Sequence, residues 1–286
     1  MGNRQVETVV VTGATSGIGF ATALALAADG FHVIALGRSA DKIDARRVEI
    51  LETAPDAKVD WLKADFSSMR QTMAVSRQIG EMADRIDVLI NNAGNQLDHH
   101  TITDDGFEMT YQVNHLAPFL MTRHLLPAVL RSPQPRVITL SSIGHTMIED
   151  MQWDDLQISQ DYSPFRAYCQ SKLANVLFTR ELARQNAATP LVASAVHPGL
   201  VASDFANKGD EAVRDYYRAA EARGEAFTSE QGADTVIWLA RSAEAGGPSG
   251  GYFYQRERVE PSTAGATSAS AKRLWDISEA QVARFL

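Results

Sequence analysis

One run near the amino terminus constrains this chain more than any other: Val9-Val10-Val11-Thr12-Gly13-Ala14-Thr15-Ser16-Gly17-Ile18-Gly19. Consecutive valines read as a strand buried on both faces. Glycines follow at once, and then Ala21, Leu24, Ala25 and Leu26 fall on a helical pattern that starts near Ile18. At the start of a helix the first N–H groups are unpaired and carry partial positive charge. Glycine leaves that backbone bare, so a phosphate can approach it. The spacing here is G-x-x-x-G-x-G rather than G-x-G-x-x-G. The run therefore predicts a strand, a phosphate-facing turn and a helix.

The same alternation continues along the chain. Strands are expected at 31–36, 58–62, 86–90, 136–140, 191–196 and 251–254. Helices are expected at 41–53, 65–84, 106–130, 165–185, 230–241 and 270–285, with a charged helical pattern over 203–227. Pro118 predicts a kink inside the helix 106–130. Strands and helices in this order imply an α/β fold. The expectation is a single-domain Rossmann-type doubly wound parallel sheet of about seven strands, helices on both faces, over residues 1–286. The segments 144–164 and 203–227 read as insertions beside a substrate.

Composition narrows the class. The net charge of −8 argues against nucleic acid and anionic membrane as partners. Cys169, the one cysteine, excludes an internal disulfide and a cysteine-based metal cluster, and fits a reducing cytoplasm. No signal peptide and no apolar run of about 18 residues is seen, so no membrane span is expected. His99 and His100 read as exposed loop residues beside Asp98, and no metal is expected.

Strand two ends in Gly37-Arg38-Ser39, without the carboxylate that would accept a ribose 2′-OH. Arg38 offers a planar donor fork suited to a 2′-phosphate, and Ser39 adds a hydroxyl. The reading is NADP(H) over NAD(H). Asp65 is a candidate for the adenine edge, or a plain helix N-cap. Tyr168 and Lys172 lie four apart on one predicted helix and so share a face. Ser142 ends strand five, at the edge where open α/β sheets bind ligands. Reduction of a carbonyl needs a hydrogen-bond donor to the developing oxyanion and a general acid. Ser142 supplies the first and Tyr168 the second. The Lys172 ammonium is expected to lower the phenol pKa, and Asn114 to hold a water that links Lys172 to solvent.

Thr12 to Gly19, Asn91 to Gly94, Asn114, Ser142, Tyr168-x-x-x-Lys172 and Pro198-Gly199 resemble, in order, the short-chain dehydrogenase/reductase superfamily. The resemblance implies Ser142 as carbonyl polariser, Tyr168 as acid/base, Lys172 as its modifier and ribose ligand, and Asn114 as the helix water site. It implies Gly13, Ser16, Gly17, Ile18 and Gly19 at the pyrophosphate, Arg38 at the 2′-phosphate, Asp65 at adenine and Asn91 at the adenosine ribose. Phe66, Ala93, Gly94, Pro198 and Gly199 join the same crevice, with Val201 and Ser203 at the carboxamide and phosphates. A homodimer or homotetramer, paired through the helices bearing Asn114 and Tyr168, is also implied.

Asp105-Gly106-Phe107-Glu108, Val113 to Leu116, Tyr168 to Asn175 and Leu274-Trp275 resemble more narrowly the retinol dehydrogenase-like branch, which includes the WW-domain oxidoreductases. That implies a lipophilic carbonyl or alcohol. Unlike in that branch, no amino-terminal membrane segment and no WW module is expected from these residues. The chain's 203–227 segment also carries Lys208, Asp210, Glu211, Arg214, Asp215 and Arg218 where a membrane-dipping lid is apolar. Met147, Met151, Trp153, Leu156 and Ile158, and Phe205, Val213, Tyr216 and Tyr217, are candidates for an apolar substrate pocket. A medium-sized, mostly apolar ketone, aldehyde or alcohol is expected. Two alternatives are reduction of an activated C=C bond and a dinucleotide-sensing protein without turnover. His145, His197 and Cys169 read as structural.

Overall fold

In the computed structural model, which describes residues 6–202, 211–242, 245 and 247–286, eight strands form one sheet ordered β3-β2-β1-β4-β5-β6-β7-β8. The strands are β1 (Thr8–Val11), β2 (His32–Gly37), β3 (Val59–Lys63), β4 (Val88–Asn91), β5 (Arg136–Leu140), β6 (Val192–Val196), β7 (Gly251–Tyr254) and β8 (Glu257–Val259). All neighbours pair in parallel up to β7, and β8 returns antiparallel. The expected seven strands are present; β8 is the addition. It is a three-residue edge piece whose Glu257-Arg258 carries no apolar run. Its turn holds Gln255 and Arg256 at φ 49° and 63°.

The central strands are buried on both faces, which is why they read as unbroken apolar runs. On one face lie α1 (Gly17–Ala28), α2 (Ala40–Thr53) and α8 (Ser229–Arg241), over a core that includes Leu26, Ile50 and Leu239. The other face carries α3 (Met69–Met82), a composite helix, α6 (Pro164–Gln185) and α10 (Ser268–Val282), over a core with Ile79, Phe119, Leu177 and Trp275. Among the described residues α7 (Glu211–Ala222) and α9 (Thr263–Ala266) are further α-helices.

The composite helix corrects the single helix expected at 106–130. Gly106 turns at φ 87°, and Glu108 caps the helix start through Thr110 and Tyr111 N–H groups at 2.9 and 2.7 Å. One short turn, α4 (Met109–Tyr111), passes into a π-helical segment, Gln112–Leu116, and then into α5 (Ala117–Val129). The break is therefore the π segment that holds Asn114. Pro118 sits at the start of α5, where a missing N–H costs nothing. Asp65 is not the cap of α3 either. Ser68 is, and the Asp65 carboxylate instead accepts from Ser67 N and Oγ at 2.9 and 2.7 Å.

The tract 261–270, which reads as loop, contains α9 and leads into α10. Trp275 of α10 sits edge-on to Phe119 of α5 at 4.8 Å and stacks on Phe178 of α6 at 5.9 Å. Tyr111 donates to Gln281 Oε1 at 3.0 Å, and His115 meets Ser278 Oγ at 2.7 Å. The outer face through which the resemblance implied subunit pairing therefore carries the chain's own α10.

Replacing this indole removes the centre of an aromatic cluster and leaves a cavity. Trp275→Ala is expected to lower the unfolding free energy by about 3–5 kcal/mol, read from urea denaturation midpoints. A loss below ~1 kcal/mol would mean that α10 is not part of the cooperative core.

Candidate active site

The strand order reverses between β1 and β4, and a crevice opens at their carboxyl ends. Thr12 closes its floor. Its hydroxyl accepts from Asn92 N and Ala93 N, both at 2.9 Å, and donates to Ile90 O at 3.3 Å. Asn92 reciprocates, donating from Nδ2 to Thr12 O at 2.7 Å and Gly13 O at 3.3 Å. This reciprocal clamp ties the glycine turn to the β4 turn. A Cβ on Gly19 would stand 2.3 Å from both Asn92 Nδ2 and Gly13 O, so only glycine fits there. Ser16, at the N-cap of α1, makes no side-chain cap bond, and the first turn carries no acid. The first N–H groups of α1 are thus left for another acceptor, as an anionic group in the crevice would provide.

Gly13, Ser16, Gly17, Ile18 and Gly19 line one wall of this crevice. Arg38, Ser39, Asp65 and Phe66 line its far end, where Lys42 joins them. Ala93 and Gly94 lie at the middle, and Ser142, Tyr168, Lys172, Pro198, Gly199 and Val201 at the opposite end. Asn91 is different. Its side chain is buried and donates to Thr122 Oγ1 at 3.0 Å on α5, away from the crevice. Its neighbour Asn92 lines the crevice instead. Strand alternation would have separated the two, had the last strand residue been known. Ser203 lies outside the described residues, as do Phe205, Lys208 and Asp210.

Ser141 Oγ, at the end of β5, donates to Lys172 O at 2.8 Å and so fixes α6 against the sheet edge. The fully buried Asn175 adds a bond to Leu140 O at 3.0 Å. Tyr168 and Lys172 then face Ser142. A side-chain hydrogen bond joins Tyr168 to Ser142, whose Oγ also accepts from Gly144 N at 3.1 Å. Lys172 is buried, with Nζ donating to Leu140 O at 3.2 Å and lying 5.6 Å from the Tyr168 ring centre.

The charge balance differs from the expectation. Burial raises the Tyr168 phenol well above its ordinary value, against the pull of the Ser142 hydrogen bond. Burial likewise draws the Lys172 ammonium down to about 8. Desolvation disfavours both ions. Asn114 is fully buried in the π segment. Its Oδ1 accepts from Asn95 N at 2.7 Å, and its Nδ2 donates to Asn95 O at 2.9 Å and Ser171 Oγ at 3.0 Å. It braces the β4 loop to α6.

Two neighbouring imidazoles support the Ser142 loop. His145 Nδ1 donates to Ser142 O at 2.7 Å while its Nε2 accepts from Ser262 N at 3.0 Å. His197 holds Ile143 N and Gly199 N. Burial keeps the Cys169 thiol up at about 12, which makes it a packing group rather than a reactive one.

The insertion 144–164 packs more than it lines. Met151, Leu156 and Ile158 are buried, Met147 is 56% exposed, and Trp153 lies under the Arg273 guanidinium at 4.5 Å. From α7, Tyr217 lines the crevice and faces Tyr168, while Tyr216 is 60% exposed. The apolar lining of the crevice instead includes Leu97, Met109 and Val113, which the sequence reading missed because Leu97 lies in the loop after β4 and Met109 and Val113 precede Asn114 in an ordinary helical pattern. Arg46 was also missed; it donates to Thr15 O at 3.3 Å and covers the Phe20 ring at 4.3 Å, holding the glycine turn from behind.

No group of three or more potential metal ligands occurs among the described residues, and no described helix is long and apolar enough to cross a membrane. A family model described as short chain dehydrogenase matches residues 7–214. Retinol dehydrogenase 13 of Homo sapiens is 34% identical over 94% of this chain and 82% of its own length. A protein provisionally named daunorubicin C-13 ketoreductase DnrU, from Streptomyces sp. (strain C5), is 37% identical over 96% of this chain and 92% of its own. Among solved structures, an uncharacterized protein from Mycobacterium paratuberculosis superposes with a TM-score of 0.77 at 31% identity, covering 97% of this chain and 93% of that one.

The buried ammonium carries a stability cost that pH reveals. Folding lowers the Lys172 pKa from 10.5 to about 8, so between these values the folded state binds fewer protons and stability rises with pH. Lys172→Met has no such term. The variant is expected to be more stable than the parent at pH 7, with the gap closing by about 2 kcal/mol by pH 9.5. Parallel denaturation curves at the two pH values test this; a gap that stays constant would show that folding leaves the Lys172 pKa at its ordinary value.

Proposed function

The chain belongs to the short-chain dehydrogenase family, and from that premise we propose that it is an NADP(H)-dependent oxidoreductase that interconverts a mostly apolar carbonyl and its alcohol. The observation that carries this reading is the contact of Ser142 with Tyr168 beside the buried Lys172, at one end of the crevice that begins at the glycine turn. The uncapped start of α1 and the close approach that only Gly19 permits suit a pyrophosphate. Arg38, Ser39 and Lys42 at the far end suit a 2′-phosphate, with no acidic side chain ending β2 to repel it.

Bound in this crevice, a nicotinamide dinucleotide would supply to the substrate carbon, or accept from it, a hydride, that is two electrons with one hydrogen. The chain's own residues do the rest. Ser142 Oγ donates a hydrogen bond to the substrate oxygen as negative charge develops there. Tyr168 gives that oxygen its proton as general acid. Burial keeps the phenol protonated at neutral pH, so the resting site is loaded for reduction. The Lys172 ammonium and Ser142 stabilise the phenolate that is left. Asn114 holds Asn95 and Ser171 in place around them. Leu97, Met109, Val113 and Tyr217 frame the site with apolar surface, which favours a lipophilic substrate over a small charged one.

Two measurements test the assignment. NADPH oxidation with a panel of diketones and aldehydes is expected to fall ~10²–10⁴-fold in Tyr168→Phe; equal rates would remove the catalytic role. Arg38→Ala is expected to raise the KM for NADPH by ~10-fold or more while leaving that for NADH unchanged. A parent protein with an equal or lower KM for NADH would defeat the NADP(H) reading.

A further inference from the structure

His197 follows β6 directly and is buried, its ring stacked on Tyr254 at 4.8 Å with 19° between planes. Its backbone N–H donates to Phe253 O at 2.9 Å, which fixes the residue to β7. Its Nδ1 faces two backbone donors, Ile143 N and Gly199 N, each at 3.3 Å. Ile143 follows Ser142. Gly199 belongs to the turn that lines the opposite wall of the crevice, where its φ of 88° brings the backbone against the Phe227 ring. One unprotonated nitrogen thus joins the two loops between which the substrate oxygen would sit. Burial and the neighbouring His145 hold the imidazole pKa near 4, so this acceptor stays neutral in ordinary conditions.

We infer that His197 is a positioning residue: by accepting from both loops at one atom, it sets the separation between the Ser142 hydroxyl and the Pro198–Gly199 wall. The inference rests on the reading of Ser142 as the group that meets the carbonyl oxygen. The fold needs an acceptor at this position rather than an imidazole. Asparagine places its amide oxygen the same number of bonds from Cα as Nδ1, glutamine places it one bond further, and phenylalanine keeps the ring over Tyr254 without any acceptor.

The test compares His197→Asn, His197→Gln and His197→Phe in the full chain. Amide hydrogen exchange is read at Ile143 and Gly199, with kcat and KM for NADPH in the aldehyde and diketone assay. In the Phe and Gln variants both amides are expected to exchange ~10-fold or more faster. Their kcat is expected to fall ~10-fold with the KM for NADPH within about threefold. Asn restores both quantities to near the parent values. Parent-like exchange in Phe, or Asn no better than Gln, overturns the inference; if Phe does not fold, the Asn and Gln pair decides alone. Should no carbonyl be turned over by the parent protein, the proposed reaction fails, and the exchange rates still decide whether His197 joins the two loops.

Discussion

The site depends on the reciprocal clamp between Thr12 and Asn92. Adjacent parallel strands β1 and β4 send their chains to opposite faces of the sheet, and nothing in strand pairing alone holds the diverging ends together. Four hydrogen bonds of 2.7–3.3 Å between the two turns do so. They leave the glycine turn no room to adapt, which is why a Cβ at Gly19 would strike both partners of the clamp. The uncapped end of α1 is thereby aimed into the crevice and kept open. A rigid floor of this kind also sets where Gly94 and Asn95 lie, and through Asn114 where α6 lies.

On this frame the protein buries charge and potential charge that water would hold more cheaply. Lys172, Tyr168, His145 and His197 are all drawn toward their neutral forms by desolvation. Each is offset by hydrogen bonds with backbone groups or hydroxyls rather than by a counter-ion: Leu140 O for Lys172, Ser142 Oγ for Tyr168, Ser142 O and Ser262 N for His145, Ile143 N and Gly199 N for His197. A carboxylate in this place would fix Lys172 as an ion, and it would also hold the phenol neutral by repulsion. Backbone carbonyls orient the ammonium without adding a full charge, so its influence on Tyr168 is left for the moment when a phenolate forms.

Much of this was legible in the chain. Unbroken Val, Ile and Leu runs can only be strands covered on both sides, so the parallel sheet and its order of elements followed from pattern alone. The glycine turn, Ser142, Tyr168 and Lys172 were legible because their chemistry is local: a helix start, a strand end, a spacing of four on one helix face. What escaped depends on partners far away in sequence. The choice between Asn91 and Asn92 turns on the last pleat of β4. The π segment around Asn114 reflects the pull of Asn95, Ser171 and Ser278, none of which is nearby in the chain. Met151, Leu156 and Ile158 were apolar enough for a pocket, and only the folded body decides that they serve as packing. The sign of the Tyr168 shift was misjudged for the same reason, since attraction by Lys172 is readable from spacing and burial is not.

The carboxyl-terminal segment links these observations. α10 lies over α5 and α6 through Trp275, and the chain just before it reaches the Ser142 loop through Ser262 and His145. The helix that bears Tyr168 is therefore held from both sides, by Ser141 at the sheet and by α10 outside. His145 carries the same restraint to the residue next to the proposed oxyanion donor. Catalytic geometry of this kind tolerates little error, since displacements of about 1 Å cost large factors in rate. A segment that contributes no side chain to the crevice can then matter to the chemistry as much as one that lines it, because the order it imposes on α6 and the Ser142 loop is the order that Ser142, Tyr168 and Lys172 require.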